Sequence, residues 1–226
     1  MLMRSLLFAE TQNSPAIDFG PGLLDAAFER VPVWTVPFLR PFFGQSPKPR
    51  VSATAYARRR VRSGELLSAR LDASSIPPIS APLATSRDRS RPDFERLSYF
   101  ALQRLASPAR RTTVYWPSAR FAREHGSWTG SDSLPNPLQI SHSLLCTAVW
   151  LGVLLQSPQI ALDAWTSERE LQFQARRDGN GGPLPDALVE RDGETIAIEV
   201  LGKYPASWIE HHVVQFESHF DGWEMW

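Results

Sequence analysis

Leu184-Pro185-Asp186-Ala187-Leu188-Val189-Glu190, Arg191-Asp192-Gly193-Glu194 and Thr195-Ile196-Ala197-Ile198-Glu199-Val200 follow one another without a break. Two apolar, β-prone runs flank an Asp-Gly pair, the strongest short-range signal for a tight hairpin. The hairpin predicts that Asp186, at the start of one strand, meets Glu199, near the end of its partner. Converging carboxylates repel unless a cation sits between them, and Mg²⁺ held by oxygen ligands is the usual solution. Such an ion polarises a phosphodiester and lowers the pKa of an attacking water.

Lysine is rare in this chain, with only Lys48 and Lys203 beside 22 arginines. A compact, tunable ammonium four residues beyond Glu199 therefore stands out. If the strand continues, Glu199, Leu201 and Lys203 share a face. Lys203 would then steady the water or the developing charge.

Upstream, Gln139 to Leu155 reads as a buried helix that Pro158 follows, with His142 as a capping or packing residue. Ala161 to Leu171 reads as a helix carrying Glu168, leading into the Gly-rich loop Asp178-Gly179-Asn180-Gly181-Gly182. Downstream, Trp208 to Phe216 reads as a helix closing the sheet, with His211 and His212 as surface packing. The aromatic tail Gly222-Trp223-Glu224-Met225-Trp226 is expected to dock on the domain or a partner.

The chain has 226 residues and a formal net charge of zero, but the zero hides an asymmetry. Residues 1–126 hold 18 Arg and one Lys against ten acids; residues 127–226 hold four Arg and one Lys against fourteen. A split from +9 to −9 points to a polyanion partner for the first half, or to two halves that attract each other. Pro135 and Pro137 fall near the change of sign and place a boundary around residue 130.

The basic half reads as three helices and a ribbon. Leu23 to Arg30 carries an apolar face, Trp34 to Phe43 is a short segment interrupted by Pro37 and Pro41, and Ser52 and Gly64 bracket an Ala- and Arg-rich helix. Leu66 to Leu71 and Thr113 to Trp116 read as the ribbon strands, with an apolar helix from Phe94 to Leu105 between them. Three helices and a ribbon is the layout of a winged helix, whose third helix enters the major groove. Lys48, Arg50, Arg58, Arg59, Arg60 and Arg62 would contact DNA from that helix and its approach, and Arg87, Arg89 and Arg91 from the ribbon's loop.

Pro185-Asp186, about a dozen residues, then Ile198-Glu199-Val200 resembles the core of the PD-(D/E)xK nuclease superfamily, and Glu168 resembles its first acidic position. The wider pattern is similar to the replication-relaxation family of plasmid and mobile-element proteins. The matching stretches are Tyr115-Trp116-Pro117-Ser118, Ser141-His142-Ser143-Leu144, Trp165 to Leu171, Leu184-Pro185-Asp186-Ala187 and Ile198-Glu199-Val200. The resemblance implies an α+β or α/β chain: a winged-helix domain over 20–126, then a nuclease-like α/β domain with a central mixed sheet over 136–220. It implies an accessory role on double-stranded DNA in replication, mobilisation or control of those genes, alongside replication or mobilisation proteins. Winged helices often pair on palindromes, so a homodimer belongs to the same expectation. In active nucleases of this kind a lysine lies two residues after the glutamate; here that position is Leu201.

Two readings follow. In one, the chain binds DNA and its nuclease-like site has lost its chemistry. In the other it is a Mg²⁺-dependent endonuclease, with Glu168, Asp186 and Glu199 as ligands and Lys203 positioning water. A protein-interaction adaptor, the third class, leaves the Arg cluster unexplained. Cys146 cannot form an internal disulfide, no Cys/His cluster has zinc spacing, and the most apolar run is too short to span a bilayer. A cytoplasmic protein without membrane contact is expected.

Overall fold

The computed structural model describes residues 23–43, 52–88, 90–127, 130–179 and 182–226. Ser52 caps the first long helix by accepting a hydrogen bond from the Ala55 N–H at 3.2 Å. That helix, α3 (Ala53–Arg62), follows α1 (Leu23–Arg30), α2 (Val36–Leu39) and a 3-10 turn, and gives way at Gly64, whose φ is +77°. The chain continues through β1 (Leu66–Ala73), β2 (Ala84–Thr85), α4 (Phe94–Arg104), β3 (Arg110–Pro117) and α5 (Ala119–His125). β1 and β3 form an antiparallel ribbon with Leu66 opposite Pro117 and Ala73 opposite Arg110. Trp34 adds an antiparallel bridge to Tyr115, so the segment between α1 and α2 joins the ribbon.

The second half begins with α6 (Ile140–Gln156), buried on nearly every side along its middle turns, as its unbroken apolar run requires. A π-helical turn (Ile160–Ala164), β4 (Trp165–Ser167) and α7 (Glu168–Asp178) follow. The single helix expected over Ala161 to Leu171 is thus divided. Trp165 pairs with Val189, and Ser167 starts α7 by accepting from the Glu170 N–H at 3.4 Å. Then come β5 (Ala187–Arg191), β6 (Glu194–Glu199), α8 (Ala206–Glu217) and β7 (Gly222–Met225). The protein is mixed α/β, and its sheet of five strands runs β2-β7-β6-β5-β4, with β6 and β7 parallel and the other pairs antiparallel.

The Asp-Gly pair makes the expected turn between β5 and β6. Asp192 has φ +57° and Gly193 φ +82°, the pair of positive angles that matches the twist of a two-residue hairpin. The aromatic tail is β7, and Trp226 is fixed beyond it, its N–H donating to the Glu199 carbonyl at 2.8 Å.

Residues 84–104 depart from expectation: they are not the ribbon's loop. Ala84 pairs with Met225, and α4 packs on α8, so the basic half lends an edge strand and a helix to the other sheet. Between β1 and β2 the chain, with prolines at 77, 78 and 82, crosses α6 without helix or strand. The crossing is close: a Cβ on Gly152 would lie 2.2 Å from the Ile79 carbonyl oxygen, so only glycine fits. Arg87 and Arg91 therefore pair with Glu194 and Glu210 on the second half, at 2.7 and 3.4 Å; Lys48, Arg50 and Arg89 lie outside the described residues.

The halves also share one core. Trp34 and Trp150 meet edge to face at 5.9 Å, Thr147 donates to the Val33 carbonyl at 2.6 Å, and Arg30 donates to the carbonyls of Leu162 and Trp165. The largest buried cluster runs from Phe28 and Tyr56 through α6 to Val189 and Ile198. No helix among the described residues is long and apolar enough to cross a membrane.

Candidate functional site

The hairpin register places the carboxylates. Ala187 pairs with Ile198, so Asp186 and Glu199 stand opposite each other where β5 begins and β6 ends. The Asp186 carbonyl accepts from the Glu168 N–H at 2.9 Å, which ties the first residue of α7 to the same point. Asp186 Oδ2 accepts from the Val200 N–H at 2.8 Å. Glu199 is 5% exposed, whereas Glu168 sits at the rim.

Two residues of α6 complete the cluster. His142 and Cys146 are one turn apart, on the same helix face. His142 Nε2 lies 2.8 Å from Asp186 Oδ1, and Cys146 Sγ lies 3.7 Å from His142 Nε2. His142 does not cap α6, whose N-cap is Gln139; it touches Asp186 in the candidate site. Its i, i+4 spacing to Cys146 was visible in the sequence; the partner 44 residues on was not.

The electrostatics follow from burial and from Asp186. Burial, then the Asp186 charge, pushes the Glu199 carboxyl well above the usual range, and the same two causes raise Glu168. Burial pushes the Cys146 thiol up to about 11. The adjacent sulfur and the hydrogen-bonded Asp186 both raise the pKa of His142 against the opposing effect of burial. On the other side, His212 Nδ1 stands 3.9 Å from Glu199 Oε1, and its ring stacks on Trp208 at 3.6 Å, which in turn stacks on Tyr204 at 3.8 Å.

Glu168, Asp186, Glu199 and Lys203 border one groove of about 1020 Å³, whose other wall is built by the loop through Asn136. Lys203 is exposed there and forms no ion pair among the described residues. Leu201 is fully buried among Ile209, Val213 and Phe216, so nothing cationic stands two residues after Glu199. The three carboxylates are hard oxygen donors of the kind Mg²⁺ takes, but both Asp186 oxygens already have protein partners.

The arginines of α3 divide into two kinds. Arg60 is held inward by Asp25 at 2.5 Å, by the Tyr56 hydroxyl at 2.9 Å and by Glu65. Arg58, Arg59 and Arg62 are exposed, with no carboxylate at ion-pair distance among the described residues. Arg70, Arg110 and Arg111 stand exposed on the ribbon, a set the sequence reading passed over because it placed the loop elsewhere. A comparison with protein-family models, curated proteins and solved structures returns no match to this chain.

Proposed function

We propose that this chain is a DNA-binding accessory protein of plasmid or mobile-element replication or mobilisation. It grips duplex DNA with α3 and the β1–β3 ribbon, and its second half is a PD-(D/E)xK-like unit without nuclease activity. The observation that carries this reading is the exposed trio Arg58, Arg59 and Arg62, three cations within five residues of one helix and free of carboxylate partners among the described residues. Their mutual repulsion is relieved by a polyanion. The order α1, Trp34 bridge, α2, α3, β1, β3 supports a winged helix, with β2 and α4 inserted between the ribbon strands. Buried Leu201 and the His142–Asp186 contact support the loss of chemistry, since no cation stands two residues after Glu199 and both Asp186 oxygens are engaged by the protein.

The test is binding to a labelled duplex across a salt series. Replacing Arg58, Arg59 and Arg62 by Ala together should weaken binding at least about tenfold at low salt and reduce the log–log salt slope by about three. Equal affinity and slope in the variant would remove the proposal.

A second reading, a Mg²⁺-dependent endonuclease, is favoured by one observation: Glu168, Asp186, Glu199 and Lys203 border a single groove. The carboxylates would hold the ion, whose role when bound is to polarise a phosphodiester. Nicking of supercoiled plasmid with Mg²⁺ or Mn²⁺, lost in both Asp186→Ala and Lys203→Ala while duplex binding persists, would establish it. Binding without metal-dependent cleavage supports the first reading.

A further inference from the structure

We propose that His142, Cys146 and Asp186 form a binding site for a thiophilic divalent cation of the zinc class. This goes beyond the reading above, and differs from an oxygen-ligated Mg²⁺ site in both its ligands and its place. It lies on the α6 side of Asp186, where Oδ1 meets His142.

The geometry comes first. One donor atom from each of the three residues lies within 4.8 Å of the other two. Tetrahedral zinc, with bonds of about 2.0–2.3 Å to nitrogen, oxygen and sulfur, sets its ligand atoms roughly 3.3–3.7 Å apart. The Cys146 Sγ to His142 Nε2 separation of 3.7 Å already meets that spacing. The His142 Nε2 to Asp186 Oδ1 distance of 2.8 Å is a hydrogen bond, which must open by about half an ångström for an ion to replace the shared proton.

Space is the second, independent observation. A cavity of about 70 Å³ is lined by His142, Cys146, Asp186 and Glu168 together with Arg30 and Arg169, and Arg30 is turned to the carbonyls of Leu162 and Trp165. A water occupies about 30 Å³, so the cavity has room for an ion and a water. Three protein ligands and an open fourth position is the arrangement of an accessible zinc site, closed by that water or by Glu168.

The donor chemistry favours the same class of ion. A thiolate and an imidazole select zinc or cobalt over magnesium, which prefers an all-oxygen shell. His142 and Cys146 stand one turn apart on a buried helix, so two of the three ligands are held rigidly before any ion arrives. Asp186 is braced in turn by the Val200 N–H.

The full chain tests this directly, because Cys146 is its one cysteine and any thiolate–cobalt charge-transfer band must arise there. The purified protein, stripped of metal and kept reduced by a non-chelating phosphine, is titrated with Co²⁺ and then Zn²⁺. We expect a near-ultraviolet charge-transfer band that saturates at one Co²⁺ per chain and is bleached by equimolar Zn²⁺. Cys146→Ser should abolish the band, and Asp186→Asn and His142→Gln should each weaken cobalt binding by at least about tenfold. A wild-type protein without the band overturns the proposal, whatever the variants do. So does a band whose titration is unchanged in both Asp186→Asn and His142→Gln.

Discussion

His142 Nε2 lies 2.8 Å from Asp186 Oδ1, so a histidine of α6 stands against the residue whose charge raises both Glu199 and Glu168. The cluster thus contains its own counter-ion. Three acids around one point call for a cation, and α6 places a histidine of raised pKa among them. The carboxylates stay together in part because a histidine holds one of them.

Removing that histidine should expose the need for a cation. His142→Ala leaves Asp186 with only the Val200 N–H and takes the nearest positive charge from Glu199. In chelator-treated protein we expect a loss of about 1–3 kcal/mol at neutral pH. Millimolar Mg²⁺ should recover part of this in the variant and shift the wild type less. Denaturant unfolding with and without Mg²⁺ measures both; an identical Mg²⁺ response in the two proteins would contradict the counter-ion role.

The pH dependence has a defined sign. A raised folded-state pKa means that native Glu199 binds its proton more tightly than the unfolded chain does. Its contribution to stability is therefore complete below the unfolded value of about 4.3 and is lost as the pH rises through the folded value. His142 is raised too, and its contribution is present in full below about 6.5 and lost at higher pH in the same sense. Glu199→Gln removes the first of these slopes. Thermal unfolding across a pH series from about pH 4 upward should show the variant gaining on the wild type as the pH rises from the unfolded value through the folded one, and a constant difference beyond it. A difference that stays flat would mean that Glu199 is ionised in the native protein at low pH.

Arg60 separates a structural arginine from those proposed to face DNA. It is paired with Asp25 and Glu65 and bonded to the Tyr56 hydroxyl, so Arg60→Ala strands two acids beside α3. We expect a loss of about 1–3 kcal/mol in unfolding free energy with the salt slope of duplex binding unchanged. Arg59→Ala should do the reverse, leaving stability within about 0.5 kcal/mol and lowering the slope by about one. If the two variants behave alike, the division of α3 is wrong.

How far the sequence revealed these features depended on how local their causes are. The Asp192-Gly193 turn sets the register of its own hairpin, and the register alone brings Asp186 to Glu199. Ser52 and Gly64 bracket α3 by hydrogen bonding and backbone conformation within a few residues. The destination of residues 84–104 was not legible in this way. Ala84 and Thr85 make a two-residue edge strand too short to leave a pattern, and the apolar face of α4 says that something covers it, not that α8 does. β4 was hidden for the same reason, three residues between two helical patterns. At the site, the His142–Cys146 spacing was readable, but the link to Asp186 exists only once α6 packs beside the hairpin.

Gly152 tests that packing, since it is where the proline-rich crossing touches α6. A methyl group at this position would lie 2.2 Å from the Ile79 carbonyl oxygen and 3.3 Å from its carbonyl carbon, with the Trp226 ring 3.7 Å away. Backbone cannot rotate aside as a side chain can, so Gly152→Ala must push the 74–83 crossing off the helix or bend α6. In an exposed helix the same change would stabilise by up to about 1 kcal/mol. Here overpacking should outweigh that and cost about 1–3 kcal/mol net. Because the crossing delivers β2 to the edge of the sheet, amide exchange should speed up at Leu83 and Ser86, whose N–H groups bond the carbonyls of Met225 and Trp223. The β5–β6 hairpin should keep its protection, since its hydrogen bonds do not depend on the crossing. A stabilised Ala variant would show that residues 74–83 do not lie against α6, and would detach β2 and α4 from the sheet they are argued to complete.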